Sequence, residues 1–122
     1  MVLKRFDTPD ESYPLVKGRF DLVRIGGLSI GRVSYEPGWR WSEHVGKAIG
    51  QPRCLVGHVG LVVSGGATVA FDDGRVIELR AGTAFECPAV AHDSWVLGNE
   101  LYVSLHFAHV EEYAANLSAS RA

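Results

Sequence analysis

The chain has 122 residues, of which 47% are hydrophobic and 21% are charged, and its formal net charge is −2 at pH 7. A chain of this length forms one domain with its own hydrophobic core, and its small net charge gives no electrostatic reason to expect a nucleic acid or an anionic membrane as partner. The longest apolar runs, such as Leu61–Val63, are far too short to cross a membrane, and the first residues contain no secretory signal. Two cysteines, Cys54 and Cys87, are too few for a disulfide framework, so the sequence predicts a cytoplasmic protein with reduced thiols.

The first segment, residues 1–19, is extended and polar, and it either drapes over the domain or adds an edge strand to a partner. Glycine-containing turns then separate short runs of β-branched and aromatic residues, which is typical of antiparallel strands. The clearest hairpin turn is Asp72-Asp73-Gly74-Arg75. The predicted strands cover residues 20–26, 28–36, 56–64, 67–72, 75–80, 83–87, 93–97 and 100–107.

The number and spacing of these strands predict an all-β antiparallel sandwich or barrel. We expect a single domain over residues 1–122, with its core at about residues 20–107. In the tail, residues 109–122, the helix-forming stretch 109–117 predicts one or two helical turns.

Strand side chains alternate between two faces, so parity indicates the surroundings of each histidine. His58 shares its face with Val56 and Val62, and because both faces of this strand are apolar, His58 is predicted to be buried or to line a cavity. His106 lies opposite the apolar set of its own strand, so we expect it to face away from the core and to do no chemistry.

His44 has two open interpretations, because it shares a face with Arg40 while Trp39 and Trp41 lie opposite. Either this polar face looks into a pocket, or it faces solvent and the tryptophans fill the core. Arg40 is a candidate for binding a carboxylate or phosphate of a substrate, or else an ordinary surface arginine. Trp41 is a candidate wall of a substrate pocket, or else core filling or a dimer interface.

Three histidines, His44, His58 and His92, follow turn signals on or beside predicted strands. Neutral imidazole is a good ligand for divalent transition metals, so these segments enclose a metal if they converge. Cys54 has the parity of His58 and is a candidate fourth ligand, whose thiolate would favour Zn²⁺ or another thiophilic metal over Mg²⁺ or Ca²⁺. The alternative for Cys54 is a small buried hydrophobe.

The arrangement resembles the cupin superfamily, whose first motif is G-x5-H-x-H-x3–4-E-x6-G. Gly38 and His44 match its opening, and His58 with Gly65 matches its close, with His58 in place of the glutamate. Gly46 stands at the second histidine, and residues 45–53 form an insertion, expected to be a loop.

The second cupin motif is G-x5-P-x-G-x2-H-x3-N. Gly82 and Pro88 match it, His92 lies one residue early, and Val90 and Val96 stand where the motif has glycine and asparagine. The stretches 37–44, 54–58 and 91–96 are similar to a subgroup of small single-domain bacterial cupins, and the whole resemblance covers about residues 27–107.

The resemblance implies a double-stranded β-helix (jelly-roll) barrel with a short C-terminal helical turn and, as in small cupins, a homodimer. It also implies one divalent metal, with Zn, Fe, Ni, Mn and Cu as candidates, bound by His44, His58 and His92. The departures from the motifs leave a metal-free barrel open, in which His58 and His92 hold pocket positions or act as acid and base.

The expected function is metal and small-molecule binding in the barrel, as an oxygenase, isomerase or lyase. The alternative is a non-catalytic small-ligand binding or sensing module, because a fold does not fix a function.

Overall fold

A computed structural model describes residues 1–120. Each predicted strand is present within two residues of its predicted bounds, and a further strand lies in the N-terminal segment. The strands are β1 (Glu11–Leu15), β2 (Gly18–Ile25), β3 (Leu28–Tyr35), β4 (His58–Ser64), β5 (Gly66–Phe71), β6 (Val76–Arg80), β7 (Ala84–Cys87), β8 (His92–Leu97) and β9 (Tyr102–Ala108). The helices are α1 (Lys47–Ile49), which follows a π-helical turn (Ser42–Gly46), and α2 (Val110–Ser120).

The strands form two antiparallel sheets. The larger sheet has the order β1-β2-β3-β9-β4-β7 and the smaller one the order β6-β5-β8. A single apolar core contains side chains of both sheets, such as Phe20, Val33 and Val62 from the larger sheet and Ala67 and Val96 from the smaller one. The core therefore lies between the sheets.

Helix α2 is longer than the one or two turns predicted, because its apolar residues have helical spacing. Val110, Tyr113, Ala114 and Leu117 recur at i, i+3, i+4 and i+7, and all four are buried in the core. The helix thus covers one side of the core. No helix within residues 1–120 is long and apolar enough to cross a membrane.

The N-terminal segment adds a strand to its own chain. β1 pairs with β2 over five residues, from Glu11 opposite Leu22 to Leu15 opposite Gly18, and Tyr13 and Leu15 pack against the core. One side of β2 is therefore covered within the chain, and the homodimer stays a prediction.

The face that β9 turns inward is the reverse of the predicted one. His106 is 8% exposed and Ser104 is fully buried, whereas Phe107 on the opposite face is 46% exposed. The polar side chains enter the interior because they satisfy each other there: the Ser104 hydroxyl and His106 Nε2 are hydrogen-bonded at 2.9 Å. The prediction that His106 faces away from the core is therefore wrong.

The inserted segment, predicted as a loop from Val45 to Arg53, is helical in its first half. The π-helical turn and α1 end at Gly50, which has the left-handed φ of 72° typical of a helix C-terminus. Just before them, Trp39 and Trp41 are buried, so the tryptophans fill the core as in the second interpretation of this segment.

A buried carboxylate ties this helical turn to β8. Asp93 accepts hydrogen bonds from the Ser42 backbone N–H at 3.0 Å and the Ser42 hydroxyl at 2.7 Å. It also accepts one from the Ser94 N–H at 2.9 Å and one from the Arg40 guanidinium at 3.2 Å. Because these donors converge on one buried group, losing the carboxylate leaves several of them without a partner.

We expect Asp93→Ala to lower the free energy of unfolding by about 2–3 kcal/mol, measured by urea denaturation, because donors become unpaired in the interior. Asp72→Ala is the matched control, since Asp72 is 53% exposed and pairs only with Arg53 among the ion pairs of residues 1–120. The control should lose less than about 1 kcal/mol. Equal losses in the two variants would contradict this account of the Asp93 contacts.

Candidate metal centre

Three of the residues singled out from the sequence lie together in the interior. Cys54, His58 and His92 each offer one ligand atom, and these atoms all lie within 4.8 Å of one another. Cys54 Sγ is 3.7 Å from His58 Nε2. Cys54 and His92 are buried, and His58 is partly buried.

Strand pairing places these side chains. Cys54 and His92 form an antiparallel bridge in which the Cys54 N–H donates to the His92 carbonyl at 2.8 Å and the His92 N–H to the Cys54 carbonyl at 3.1 Å. His58 is the register partner of Cys87 across β4 and β7. Directly opposite residues have neighbouring side chains, so two cross-strand pairs bring two cysteines and two histidines to one region.

The His92 ring is held in one tautomer. Its Nδ1 lies 2.7 Å from the Val90 carbonyl oxygen, which only accepts, so Nδ1 carries the proton and donates it. The lone pair is then on Nε2, which is 3.8 Å from Cys87 Sγ. A hydrogen bond from the second ring nitrogen to a carbonyl is how metal-binding imidazoles are commonly oriented.

Burial keeps the group uncharged. It lowers the pKa of His58 well below its ordinary value, and the His106 and His92 rings lower it further. Burial also lowers the pKa of His92, although the Val90 carbonyl opposes this. It raises the pKa of the Cys54 thiol to about 12. At neutral pH the imidazoles are therefore free bases and the thiol keeps its proton.

His44, the third histidine of the predicted ligand set, is not brought into this group. It lies in the π-helical turn, where its Nδ1 accepts a hydrogen bond from the Arg40 backbone N–H at 3.0 Å. The helical backbone gives this segment a period other than two, so strand parity does not describe it. The buried tryptophans occupy the inward positions instead.

The two candidate substrate-binding residues also lie elsewhere. The Arg40 guanidinium is 4.2 Å from the centre of the Trp95 ring and bonded to Asp93, so protein groups already engage it. Trp41 is 2% exposed and borders a separate pocket with Ile49 and Asn116. Asp93, adjacent to His92, binds Ser42, Ser94 and Arg40, while the His92 ring binds the Val90 carbonyl.

An interior cavity of about 60 Å³ adjoins the group. His58 lines it together with Cys87 and His106, and the His58 ring centre is 5.4 Å from that of His106. His106 is not among the site residues predicted from the sequence, because the apolar side chains of β9 outnumber the polar ones. Its register partners Gly31 and Gly60, on the two neighbouring strands, are the signal that would have located it.

These glycines make room for aromatic rings beside His106. A Cβ at Gly31 would lie 2.5 Å from Phe20 Cζ, and one at Gly60 would lie 2.8 Å from Phe85 Cζ. Glycine in a strand interior often marks such a close approach. The His106 ring is therefore enclosed by aromatic groups, including Phe85 at 5.8 Å between ring centres.

No protein-family model matches the sequence, and no match was found among curated proteins. Solved structures do match. A double-stranded β-helix protein of Klebsiella pneumoniae has a TM-score of 0.51 at 18% identity, over 75% of this chain and 75% of that chain. A cupin-like protein of Thermotoga maritima has a TM-score of 0.53 at 16% identity, over 76% of this chain and 71% of that chain.

An oxalate decarboxylase of Lactobacillus farciminis, solved as a formate complex, has a TM-score of 0.55 at 18% identity. The match covers 80% of this chain but 30% of that enzyme. At such identities the likeness shows the fold, and this chain has the double-stranded β-helix fold of the cupins. The fold class predicted from the sequence is thereby confirmed.

Burial of His106 predicts a pH-dependent stability. Burial lowers its pKa from the ordinary value of 6.5 to about 4, so the unfolded chain takes up the proton first as the pH falls. The stabilisation is complete above pH 6.5 and is lost as the pH falls through about 4. This gap corresponds to about 3 kcal/mol of unfolding free energy, measurable by denaturation of chelator-treated protein.

His106→Asn should remove that share of the pH dependence, because asparagine does not titrate and still offers a hydrogen bond to Ser104. His109→Asn, which replaces an exposed imidazole, is the matched control and should behave like the unmodified protein. If His106→Asn loses as much stability on acidification as the unmodified protein, the assigned role of His106 is wrong.

Proposed function

We propose that Cys54, His58 and His92 bind one divalent transition metal and that the adjoining cavity binds a small molecule beside it. The observation that carries the proposal is the convergence of the three ligand atoms within 4.8 Å. The cupin fold of the structural neighbours supports it at the level of architecture.

The spacing of one donor pair, Cys54 and His58, fits a metal. A tetrahedral zinc site with Zn–S of about 2.3 Å and Zn–N of about 2.0 Å places sulfur and nitrogen about 3.6 Å apart. The observed separation between Cys54 Sγ and His58 Nε2 is 3.7 Å. One thiolate and two imidazoles suit Zn²⁺, Cu²⁺, Ni²⁺ or Fe²⁺ better than Mg²⁺ or Ca²⁺.

The surroundings of Cys54, His58 and His92 orient one ligand and set the protonation of all three. The Val90 carbonyl orients His92, and the neutral imidazoles of His58 and His92 need to lose no proton to bind. Cys54 must lose its proton, which a bound metal brings about directly. With three protein ligands, a bound ion would keep a position for water or substrate and would supply Lewis-acid polarisation.

His58 connects this group to the cavity, since it belongs to the ligand set and to the cavity wall. A small molecule in the cavity therefore lies beside the candidate ligands. The proposed activity is therefore that of an enzyme, an oxygenase, isomerase or lyase, which acts on this small molecule.

A second candidate, a non-catalytic small-ligand binding module, is favoured by the chemistry of the cavity wall. Among residues 1–120, those that border the cavity include no carboxylate, ammonium or guanidinium group, so none of them supplies such an ionised acid–base partner. Recovery of bound ligands unchanged after incubation with metal-loaded protein would favour this module, and recovery of a product would favour the enzyme.

Protein expressed with added transition metals and dialysed should retain one equivalent of metal, measured by elemental mass spectrometry. Cys54→Ala and His92→Ala should each weaken the affinity by more than about 100-fold, because each removes a direct ligand, and even the loss of a residue that only orients a ligand costs 10–100-fold. Competition with a chromogenic chelator measures the affinity.

His44→Ala is the matched control, because it also removes an imidazole but lies outside the group. It should retain the metal of the unmodified protein. Circular dichroism checks that each variant is folded. A dialysed protein without transition metal, or unchanged affinity in folded Cys54→Ala, would overturn the proposal.

A further inference from the structure

Among residues 1–120, no residue that borders the interior cavity carries a carboxylate, ammonium or guanidinium group. The cavity wall is built largely from aromatic and aliphatic side chains, with Tyr35, Trp39, Phe85, Tyr102 and Tyr113 as its aromatic members. An anionic ligand would lose its hydration here without meeting a counter-charge from the protein, which is costly.

The tyrosine hydroxyl groups of this wall already have partners. The Tyr35 and Tyr113 hydroxyls are hydrogen-bonded to each other at 2.6 Å. The Ser104 hydroxyl binds His106 and also lies within hydrogen-bonding reach of Tyr102. Because these hydroxyl groups are already hydrogen-bonded within the protein, they need no ligand to satisfy them.

Trp39 differs from these tyrosines. It is 3% exposed, and its indole N–H has no hydrogen-bond partner within residues 1–120. The ring itself is fixed by stacking on Tyr35, with centroids 3.6 Å apart and planes at 4°. A buried donor without an acceptor costs free energy, and an acceptor supplied by a ligand would recover it.

We infer that the cavity binds a small uncharged molecule whose oxygen accepts a hydrogen bond from the Trp39 indole N–H. The inference rests on the proposed function in taking this cavity as the ligand site. The cavity volume of about 60 Å³ limits the size of the ligand. At about 10–15 Å³ for each water-sized group, it holds about four to six non-hydrogen atoms.

The test uses two probes of the same shape, propionamide, which is neutral, and propionate, which is an anion at neutral pH. Each is titrated into isotope-labelled protein, and the three indole N–H signals, from Trp39, Trp41 and Trp95, are followed by nuclear magnetic resonance. We expect propionamide to shift the Trp39 signal saturably and propionate to bind at least about tenfold more weakly.

Trp41 is an internal control, because its indole N–H is also buried without a partner but it does not border the cavity. Its signal should not respond to propionamide. Trp39→Phe keeps an aromatic ring and removes the donor, so affinity should fall about threefold to tenfold. Trp41→Phe should bind propionamide like the unmodified protein.

The titrations are performed on metal-free and on metal-loaded protein, which separates this inference from the proposed function. If the protein binds no metal but propionamide shifts the Trp39 signal, the proposed metal site is wrong and the inference about the cavity is supported. Absence of propionamide binding, binding that leaves the Trp39 signal unmoved, or a preference for propionate in the metal-free protein overturns the inference.

Discussion

The candidate site depends on two cross-strand pairs, Cys54 with His92 and His58 with Cys87. Directly opposite residues in an antiparallel pair hold their Cβ atoms about 4.5–5.5 Å apart, so the ladder hydrogen bonds set the spacing of the donor atoms. A shift of one residue in either pair would turn a donor to the other face. His58 and His92 are therefore placed by the strands β4 and β8, and Cys54 by its backbone bridge to His92.

Several polar side chains of the interior are hydrogen-bonded to one another in pairs. Ser104 binds His106, and Tyr35 binds Tyr113. Because these contacts remove the cost of burying polar atoms, β9 can turn its polar face inward and leave Phe107 half-exposed. Hydrophobicity alone therefore does not decide which face of this strand is inside.

The strands were predictable because turn signals such as Gly65 and Gly74 are local, and both have the positive φ that favours glycine. The inward face of His58 was also predictable, since its strand keeps a period of two. His44 could not be placed, because helical turns in the insertion depend on the contacts of Asp93 with Ser42, 51 residues apart in the sequence. The place of His106 needed the register of three strands, which parity within one strand does not contain.

Helix α2 contributes a side chain to the cavity wall, and it is the last described element of the chain. Tyr113 borders the cavity, and its ring centre lies 5.0 Å from that of His58. This helix follows every described strand in the chain, so a side chain from the last described element covers a histidine held by a strand. The burial that lowers the pKa of His58 therefore depends in part on an element outside both sheets, and loss of the docked helix would expose that imidazole to water.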